Sequence, residues 1–470
     1  MPDPKAWHRR ERSVRSGTWA LALLVAAPPA CRSVSDYEPQ ALPSPSSTPA
    51  PLASPPPAPA AAGAARSPVT LEAAIDEARS NAPALRAAAE TVVQARADLK
   101  TASLFPNPQL TAGTTLQPLA THFTPSNPGG PPQYNFDVLA PLDGVLFGKR
   151  SAGIESAKRA VDVAGADLAD FTRQLRAEVA AAFFDVLEAS TLLGLAGEDL
   201  KDLRRVETLT RRRAELGGAP PIDVDRARLS VVTAAQDLRT AEAAYAGAVA
   251  QLRSLLGRSG AEPDFAVAGS LDVPAPGELP YLETAVVAAE TSRPDFVSLD
   301  RQVKRWDAEA QFQKRQGLPT LAAQLGYVYQ KQESQGLPNQ DLWEASLFLS
   351  IPVFDRNQGN VAKADSQGRQ ARAGLEAGRA NLRAELAQAW AAFRAAHDGV
   401  VADDQDQLDA ARSVRERMEA AYQAGGRTIF EVLDAERAYR DARRLHVHIQ
   451  SGYWHALHAF NAAVGTPVLK

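Results

Sequence analysis

The chain has 470 residues and a formal net charge of −4 at pH 7, so neither a basic nucleic-acid-binding surface nor a strongly acidic tail is expected. Apolar residues make up 45% of the chain and aromatic residues only 6%, and this Ala-rich composition favours closely packed helices. The single cysteine, Cys31, excludes a disulfide framework and a cysteine-based zinc site. No run approaches about 20 consecutive apolar residues, so this arithmetic alone predicts a soluble protein.

The first residues of the chain have the composition of an export signal. Several arginines precede a short apolar run, and the small residue Ala30 stands just before Cys31. These residues resemble a lipobox, although Pro28 occupies a position where a Leu-like residue is usual. We therefore expect a signal peptide with a lipobox cysteine at 1–31; the alternative is an ordinary signal that leaves an unmodified thiol nearby. The Pro/Ala/Ser-rich segment 32–67 is predicted to be an extended tether, because it cannot bury a core.

The rest of the chain contains the same order of landmarks twice. Paired landmarks 211 residues apart are Pro83 and Pro294, Pro108 and Pro319, Pro141 and Pro352, and Gly148 and Gly359. Paired landmarks 208 residues apart are Gly218 and Gly426, and Gly257 and Gly465. This period is far longer than that of solenoid repeats. We therefore infer a duplicated unit, with a first repeat at 68–270 and a second at 271–470, each containing a helix, two strands and a helical hairpin.

Four runs have the period-two alternation of β-strands. They are Gln109 to Gln117, which is the weakest, Tyr134 to Ala140, Leu321 to Tyr329, and Trp343 to Val353. The last three carry Tyr, Trp or Phe on their apolar face, and alternating runs of about ten residues are typical of membrane β-barrel strands. An ordinary sandwich is the alternative, but two isolated hairpins could hardly form a stable β-domain alone.

The remaining segments have the repeat of a coiled coil. Apolar residues recur at alternating steps of three and four, and small Ala side chains allow the helices to approach closely. Segment 151–215 contains no proline and would form a helix about 98 Å long. The predicted antiparallel hairpins are 151–215 with 222–256, turning at Gly217 to Pro221, and 360–424 with 428–463, turning at Gly425–Gly426.

The strands and helices together predict a conduit. Four strands cannot close a barrel, since about eight are needed to enclose even a side-chain-filled interior. An open sheet in lipid would leave its edge groups unsatisfied. We therefore expect several chains to assemble one barrel, and the same symmetry to gather the helical hairpins into a long tube. This reading reverses the prediction of a soluble protein.

From about Pro68 to Lys470, the chain resembles the TolC-type outer-membrane factors, including their internal duplication. The segments LFPNPQL (104–110) and FDRNQGN (354–360) resemble the heavy-metal, CzcC-like branch, and GGRTIFEVLDAE (425–436) resembles the family's periplasmic tip. The resemblance implies a mostly α fold with a membrane β-barrel. In such a homotrimer, long coiled-coil hairpins form an α-barrel, and four strands per chain contribute to a shared twelve-stranded β-barrel in outer-membrane lipid.

The implied function is that of the outer-membrane channel in a tripartite efflux system, which exports small solutes. The branch points to heavy-metal cations, while multidrug efflux and type I protein secretion stay open. The implied partners are a periplasmic adaptor (membrane fusion protein) and an inner-membrane pump of RND type, with no nucleic acid. A periplasmic adaptor or a structural coiled-coil lipoprotein is the alternative of another class. Two hairpins, a long duplication and aromatic β-runs argue against it.

The family resemblance also implies a gate. In the family, a Tyr and an Arg at the tip of the second hairpin bond an Asp on the first hairpin and hold the channel closed. The matching residues are Tyr422, Arg427 and Asp223, the last on a neighbouring hairpin. Charge-assisted bonds suit such a latch. The alternative is that Asp223 is only a carboxylate favoured by the helix dipole and Arg427 a solvated charge.

Further residues are assigned by the same resemblance. Glu431 and Asp434 match lumen-facing carboxylates near the constriction, and their spacing of three places both on one helical face. Three copies would form acidic rings that attract cations; the alternative is a solvated helix face. The expected adaptor-contact tips contain Gly217, Gly218, Pro220, Gly425, Gly426 and Thr428.

Other patterns predict no chemistry. His455 and His458 have the spacing of a metal-binding pair, but the sequence places no third ligand beside them. The acidic run 403–409 lacks the glycine of a calcium loop. Because no catalytic arrangement emerges either, we expect no enzyme activity, no cofactor and no resident metal.

Overall fold

The computed structural model describes residues 68–115, 124, 126, 131–258, 265–273, 279–333, 336–403 and 405–466. The predicted signal peptide 1–31 with Cys31, and the predicted tether 32–67, lie outside these described residues. The helices are α1 Leu71–Asn81, α2 Pro83–Ser103, α3 Asp143–Leu146, α4 Lys149–Glu215, α5 Pro221–Leu255, α6 Leu282–Ser292, α7 Pro294–Gln316, α8 Gln358–Ala402, α9 Gln405–Gln423 and α10 Ile429–Val464. The strands are β1 Gln109–Thr115, β2 Gln133–Pro141, β3 Thr320–Gln330 and β4 Gln340–Ser350.

Proline breaks the first helix of each half, as its position in the sequence predicts. Pro83 begins α2 and Pro294 begins α7. Each preceding residue leaves the helical region, with ψ near 120° at both Ala82 and Arg293, because the proline ring disfavours a helical residue before it. Proline itself is tolerated at the first helical position, where no intrahelical N–H bond is lost.

The four strands form one antiparallel sheet in the order β1-β2-β3-β4. Its centre is the β2–β3 pair, which joins the two halves of the chain with Phe136 opposite Tyr327. Within the described residues, β1 and β4 are therefore the two edge strands of the sheet, and each pairs with another strand on one side only. The fourth strand is shifted from its predicted range, since it starts at Gln340 and ends at Ser350 instead of reaching Val353.

The register places the predicted apolar runs on one face of the sheet. Phe136, Tyr327 and Trp343 are cross-strand neighbours, and the rings of Tyr327 and Trp343 meet edge to face at 5.9 Å. Trp343 is 78% exposed in the single chain. The opposite face carries polar residues such as Asn135 and Glu344. An exposed aromatic face opposite a polar face matches a barrel strand with lipid outside and water inside.

The first helical hairpin agrees with its prediction, while the second has a break. Helices α4 and α5 start and end within two residues of the predicted bounds. The predicted helix 360–424 is instead divided into α8 and α9 around Asp403. Aspartate favours non-helical backbone, and the Asp403 carboxylate is held from α10 by His446 at 2.6 Å and Gln450 at 3.2 Å. These contacts compensate for the interrupted helix.

Two duplicated glycines secure the hairpins against the proline-broken helices. Gly257 follows α5 with φ +70°, and a Cβ there would lie 2.5 Å from the carbonyl oxygen of Asn81, beside Pro83. Gly465 follows α10 with φ +88°, and its Cβ would lie 3.0 Å from the side chain of Arg293. Both positions need left-handed backbone and close approach, which glycine alone provides without strain. The repeated landmarks in the sequence are thus one packing contact used twice.

The hydrophobic core is also built twice. One cluster packs α1, α4 and α5 around Phe183 and Leu252, and another packs α6, α8 and α10 around Phe393 and Phe460. Part of α4 is apolar enough, by length and composition, to cross a membrane. Its Val179 and Val186 are fully buried within the first cluster, so we attribute its apolar character to core packing.

Candidate functional site

The two hairpin tips, Gly217–Pro220 and Gly425–Thr428, turn by the same device. At the first tip, Gly217 has φ +74° and the N–H of Gly218 donates to the carbonyl of Arg213 at 2.8 Å. At the second, Gly425 has φ +83° and the N–H of Gly426 donates to the carbonyl of Ala421 at 2.9 Å. Both bonds cap the last carbonyls of a long helix, as a left-handed glycine allows. The duplicated glycines therefore specify two equivalent reversals of the chain.

Arg213 joins the two tips within one chain. Its guanidinium donates to the carbonyl of Tyr422 and, at 3.0 Å, to that of Gly218. The same group lies over the Tyr422 ring, 4.2 Å from the ring centroid. Arg213 is one of three consecutive arginines in the sequence, and only the three-dimensional proximity of the tips reveals its role. Arg213 holds the two turns in a fixed relation.

An apolar cluster packs the second tip against α4. Tyr422, Ile429 and Val432 pack with Val206 of α4 and are almost completely buried. The hydroxyl of Tyr422 lies 3.3 Å from Oγ1 of Thr210, which is itself buried. Within the chain, Tyr422 is therefore a core residue of the tip rather than a free surface group.

A capping box fixes the start of α10. The Thr428 N–H donates to Glu431 at 2.9 Å, and Thr428 Oγ1 accepts the Glu431 N–H. Arg427 donates to the same carboxylate at 2.6 Å. The bond from the Thr428 backbone, followed by the bond from Arg427, lowers the pKa of Glu431 below its ordinary range. Glu431, expected in an acidic ring, thus also caps a helix.

The predicted latch residues have separate partners within the chain. Asp223 lies in the first turn of α5, 3.6 Å from Arg226, while Arg427 bonds Glu431 and Tyr422 bonds Thr210. In the described residues, no hydrogen bond or ion pair joins Asp223 to Tyr422 or Arg427. A latch between neighbouring hairpins, as predicted, would form across chains.

The expected adaptor-contact residues are all at the surface. Gly217, Gly218 and Pro220 of the first tip, and Gly425, Gly426 and Thr428 of the second, are exposed. Apolar side chains accompany them: Leu216 is 79% exposed and Phe430 is 67% exposed. Sequence reasoning missed these two, although each directly flanks a turn. Exposed apolar groups around a turn favour a docking role for the tips.

Helices α4, α9 and α10 bring together a cluster of charged residues that the sequence did not predict. Glu436 of α10 is only 2% exposed and faces Arg415 and Glu419 of α9 together with Asp202 and Arg205 of α4. Arg205 binds Glu419 at 2.9 Å and Arg415 binds Asp202 at 3.1 Å, so both arginines are already engaged. Burial raises the pKa of Glu436 to about 7, with Asp202 and Glu419 adding to the rise and Arg415 opposing it.

Comparisons with known proteins place the chain in context. The sequence profile of outer membrane efflux proteins matches residues 74–258 and 285–466. The cobalt-zinc-cadmium resistance protein CzcC of Cupriavidus metallidurans is 29% identical over 381 residues, covering 81% of this chain and 86% of the relative. Protein CyaE of Bordetella pertussis is 29% identical over 386 residues, covering 80% and 79%. The crystal structure of CusC superposes with a TM-score of 0.70 at 22% identity, covering 84% of this chain and 92% of that one, and this likeness establishes the fold.

The buried carboxyl of Glu436 predicts a pH-dependent stability. A carboxyl with a folded-state pKa of about 7, against an ordinary 4.5, favours folding fully below pH 4.5, and this contribution is lost as pH rises through 7. We expect Glu436→Gln to raise the melting temperature of the purified protein at pH 8, by the equivalent of up to about 3 kcal/mol, and to leave it unchanged at pH 4.5. The control is Glu376→Gln, which changes an exposed glutamate of α8. Equal melting temperatures of Glu436→Gln and the unaltered protein at pH 8 would contradict the prediction.

Proposed function

Since the chain belongs to the outer membrane efflux protein family and is an efflux channel of the outer membrane, we propose that it forms the exit duct of a tripartite system that exports divalent heavy-metal cations. The observation that carries this substrate class is the 29% identity, over most of both chains, with a cobalt-zinc-cadmium resistance protein. Multidrug efflux and type I protein secretion are the alternatives within the same fold.

The proposed active form is a homotrimer. One chain supplies four strands with two open edges among its described residues, and a barrel needs about eight strands or more. Three chains supply twelve, and pairing β4 of one chain with β1 of the next removes every edge. The exposed aromatic face of the sheet would then contact lipid, and its polar face would line the channel. This surface also argues against the alternative of a periplasmic adaptor or purely structural lipoprotein.

The proposed partners are a periplasmic adaptor and an inner-membrane pump of RND type. The two tips offer the adaptor exposed turns at Gly217–Pro220 and Gly425–Thr428, flanked by the apolar Leu216 and Phe430. Because Arg213 fixes the tips relative to each other, an adaptor would meet one surface rather than two independent loops. We assign the chain no catalytic role, since passage through a duct requires no bond chemistry.

The duplication and the N-terminal anchor complete the proposal. We place two repeats at 68–270 and 271–470, because each half supplies a proline-broken helix pair, two strands and a helical hairpin. We propose that Cys31 becomes the lipidated N-terminus after removal of the signal, with 32–67 as its tether to the membrane.

Deleting the gene from its own bacterium tests the substrate class. We expect several-fold lower tolerance of Co²⁺, Zn²⁺ and Cd²⁺, unchanged tolerance of hydrophobic drugs, and restoration by the intact gene. Heat-modifiable trimers in the outer-membrane fraction confirm that the restored protein assembles. Loss of drug tolerance with metal tolerance intact would instead support the multidrug alternative.

A Cys31→Ala gene tests the proposed lipidation. We expect this variant to lose palmitate labelling but keep trimers.

We further propose that the tips form the predicted gate latch. The prediction has both Arg427 and Tyr422 bonding Asp223 of the neighbouring hairpin. The closed state proposed here keeps the bond from Arg427; because the Tyr422 hydroxyl is buried against Thr210 of its own chain, Tyr422 instead supports the tip. Arg427 is half exposed in the turn before α10, and its present partner, Glu431, lies four residues later in the first turn of that helix, so a change of partner needs only a side-chain rotation. Asp223 is more enclosed, and among the described residues its ion-pair partner is Arg226 at 3.6 Å.

Charge reversal tests the latch in planar-bilayer recordings. We expect Arg427→Asp and Asp223→Arg each to raise single-channel conductance, because like charges separate the tips, and the double variant to restore the low conductance. Arg437→Ala is the control, since Arg437 is exposed on α10 and, among the described residues, forms its ion pair with Asp441 at 3.8 Å. If both single variants keep the original conductance, the latch does not exist.

Acidic rings of Glu431 and Asp434 are the last proposal for this site. The test replaces Glu431 by Gln, which preserves a capping box, and Asp434 by Asn. We expect this pair to reduce cation selectivity, measured by reversal potential, and to remove block by divalent cations. Glu376→Gln on α8 is again the control. Unchanged selectivity and block would show that these carboxylates lie on an ordinary solvated face.

A further inference from the structure

A cluster of carboxylates and imidazoles lies where α4 crosses α10, far along the chain from either tip. Asp185 and Glu188 are three residues apart on one face of α4, and His448, Ser451 and His455 share one face of α10. One ligand atom from each of Asp185, Glu188 and His455 lies within 4.8 Å of the others. The crossing of α4 and α10 thus places two carboxylates beside His455, where the sequence alone placed no further ligand.

The distances suit a small divalent cation. Nε2 of His455 lies 3.2 Å from Oδ1 of Asp185. In a tetrahedral site with bonds of about 2.0–2.1 Å, ligand atoms are about 3.4 Å apart. The pair is therefore already at the separation of two ligands, and Glu188 needs a rotamer adjustment on the order of 1 Å to join them. A bound cation would replace the direct contact between the imidazole and the carboxylate.

Glu188 is oriented by a second layer of contacts. The His448 imidazole donates to Oε1 of Glu188 at 2.6 Å, and the Ser451 hydroxyl donates to Oε2 at 2.6 Å. Metal-binding carboxylates are commonly held in this way, and such outer contacts raise affinity. Ser451 is almost completely buried, so the Glu188 side chain has a rigid support.

The charge and access of the cluster also favour a cation. Among the described residues, Asp185 and Glu188 form ion pairs only with histidines, whereas other carboxylates of α4, such as Asp170 and Glu207, pair with arginine. Two neighbouring carboxylates without a permanent cation repel each other. A cleft of about 490 Å³, lined in part by Asp185, Glu188 and His448, gives solvent access.

His458, the other member of the predicted histidine pair, is not a ligand in this arrangement. Its ring stacks on Phe184, with centroids 5.2 Å apart, and lies beside Trp454. The two histidines, three residues apart on α10, therefore have different surroundings: His458 packs in the aromatic core, and His455 lies beside the carboxylates.

We propose that Asp185, Glu188 and His455 bind one divalent cation of borderline softness, such as Zn²⁺, Co²⁺ or Ni²⁺, with His448 and Ser451 as positioning residues. Two carboxylates and an imidazole, with no thiolate, favour these ions over Cu⁺ or Ag⁺. The site goes beyond the proposed function and does not rest on it, because binding is a property of this helix crossing whatever solute the duct carries.

The test uses the full chain, purified in detergent without a histidine tag and stripped of metal by a chelator. Titration with Co²⁺ is followed by its visible absorption, and Zn²⁺ is added as a competitor. We expect one Co²⁺ per chain with an imidazole–carboxylate spectrum that Zn²⁺ abolishes. Asp185→Asn and His455→Gln should each raise the Co²⁺ dissociation constant by at least about tenfold, and His448→Gln by about tenfold.

The matched control is His397→Gln, which changes a histidine of α8 that pairs with Asp398 and is not part of the cluster. It should bind Co²⁺ like the unaltered chain. Heat-modifiable trimers confirm that each variant is assembled. Equal Co²⁺ affinity in the unaltered chain, Asp185→Asn and His455→Gln would overturn the proposal, as would the absence of saturable binding in the unaltered chain. Both readouts are independent of metal tolerance in cells.

Discussion

The hydrogen-bonding requirement of a backbone in lipid governs the rest of this structure. Within the described chain, β1 and β4 pair on one side only, and their free N–H and C=O groups cannot be satisfied by hydrocarbon. In the proposed trimer, closure by neighbouring copies satisfies them. The rotation that joins β4 of one chain to β1 of the next acts equally on the hairpins that leave the sheet. The helical tube then follows from the open edges and needs no separate cause.

The duplication explains how one chain meets this requirement with few specific contacts. Each half uses a proline to break its first helix and a left-handed glycine to seat the end of its hairpin against that break, at Gly257 and at Gly465. Each half also contributes one two-stranded unit, and the β2–β3 pair joins the two units into the described sheet. The same local solution therefore serves twice. The halves differ at Asp403, where the helix of the second hairpin is interrupted; there α10 supplies His446 and Gln450, whose side chains bond the Asp403 carboxylate.

Periodicity and backbone chemistry could be read from the sequence, whereas contacts between distant segments could not. The strand faces, the proline breaks and both glycine turns depend on local rules, so Tyr134, Pro83 and Gly425 were informative on their own. Arg213 and Glu436 depend on helices that meet only after folding, and neither has a distinguishing local pattern. The pairing of His455 with Asp185, 270 residues earlier, is of the same kind. Sequence spacing instead paired His455 with His458, which packs in the aromatic core.

The energetics of the tip suit a gate that a partner can open. Arg427 has a bond to Glu431 in its own chain and, in the proposed closed state, one to Asp223 of a neighbour. Exposed ion pairs contribute little to stability, so neither arrangement dominates strongly. In the proposed trimer, three copies of such a weak preference would hold the gate, and a ligand with differential affinity for the two states would shift the equilibrium. An adaptor that docks on the exposed turns and prefers the separated tips would therefore open the duct without disturbing the buried cluster around Tyr422, because the exchange is confined to side chains at the surface.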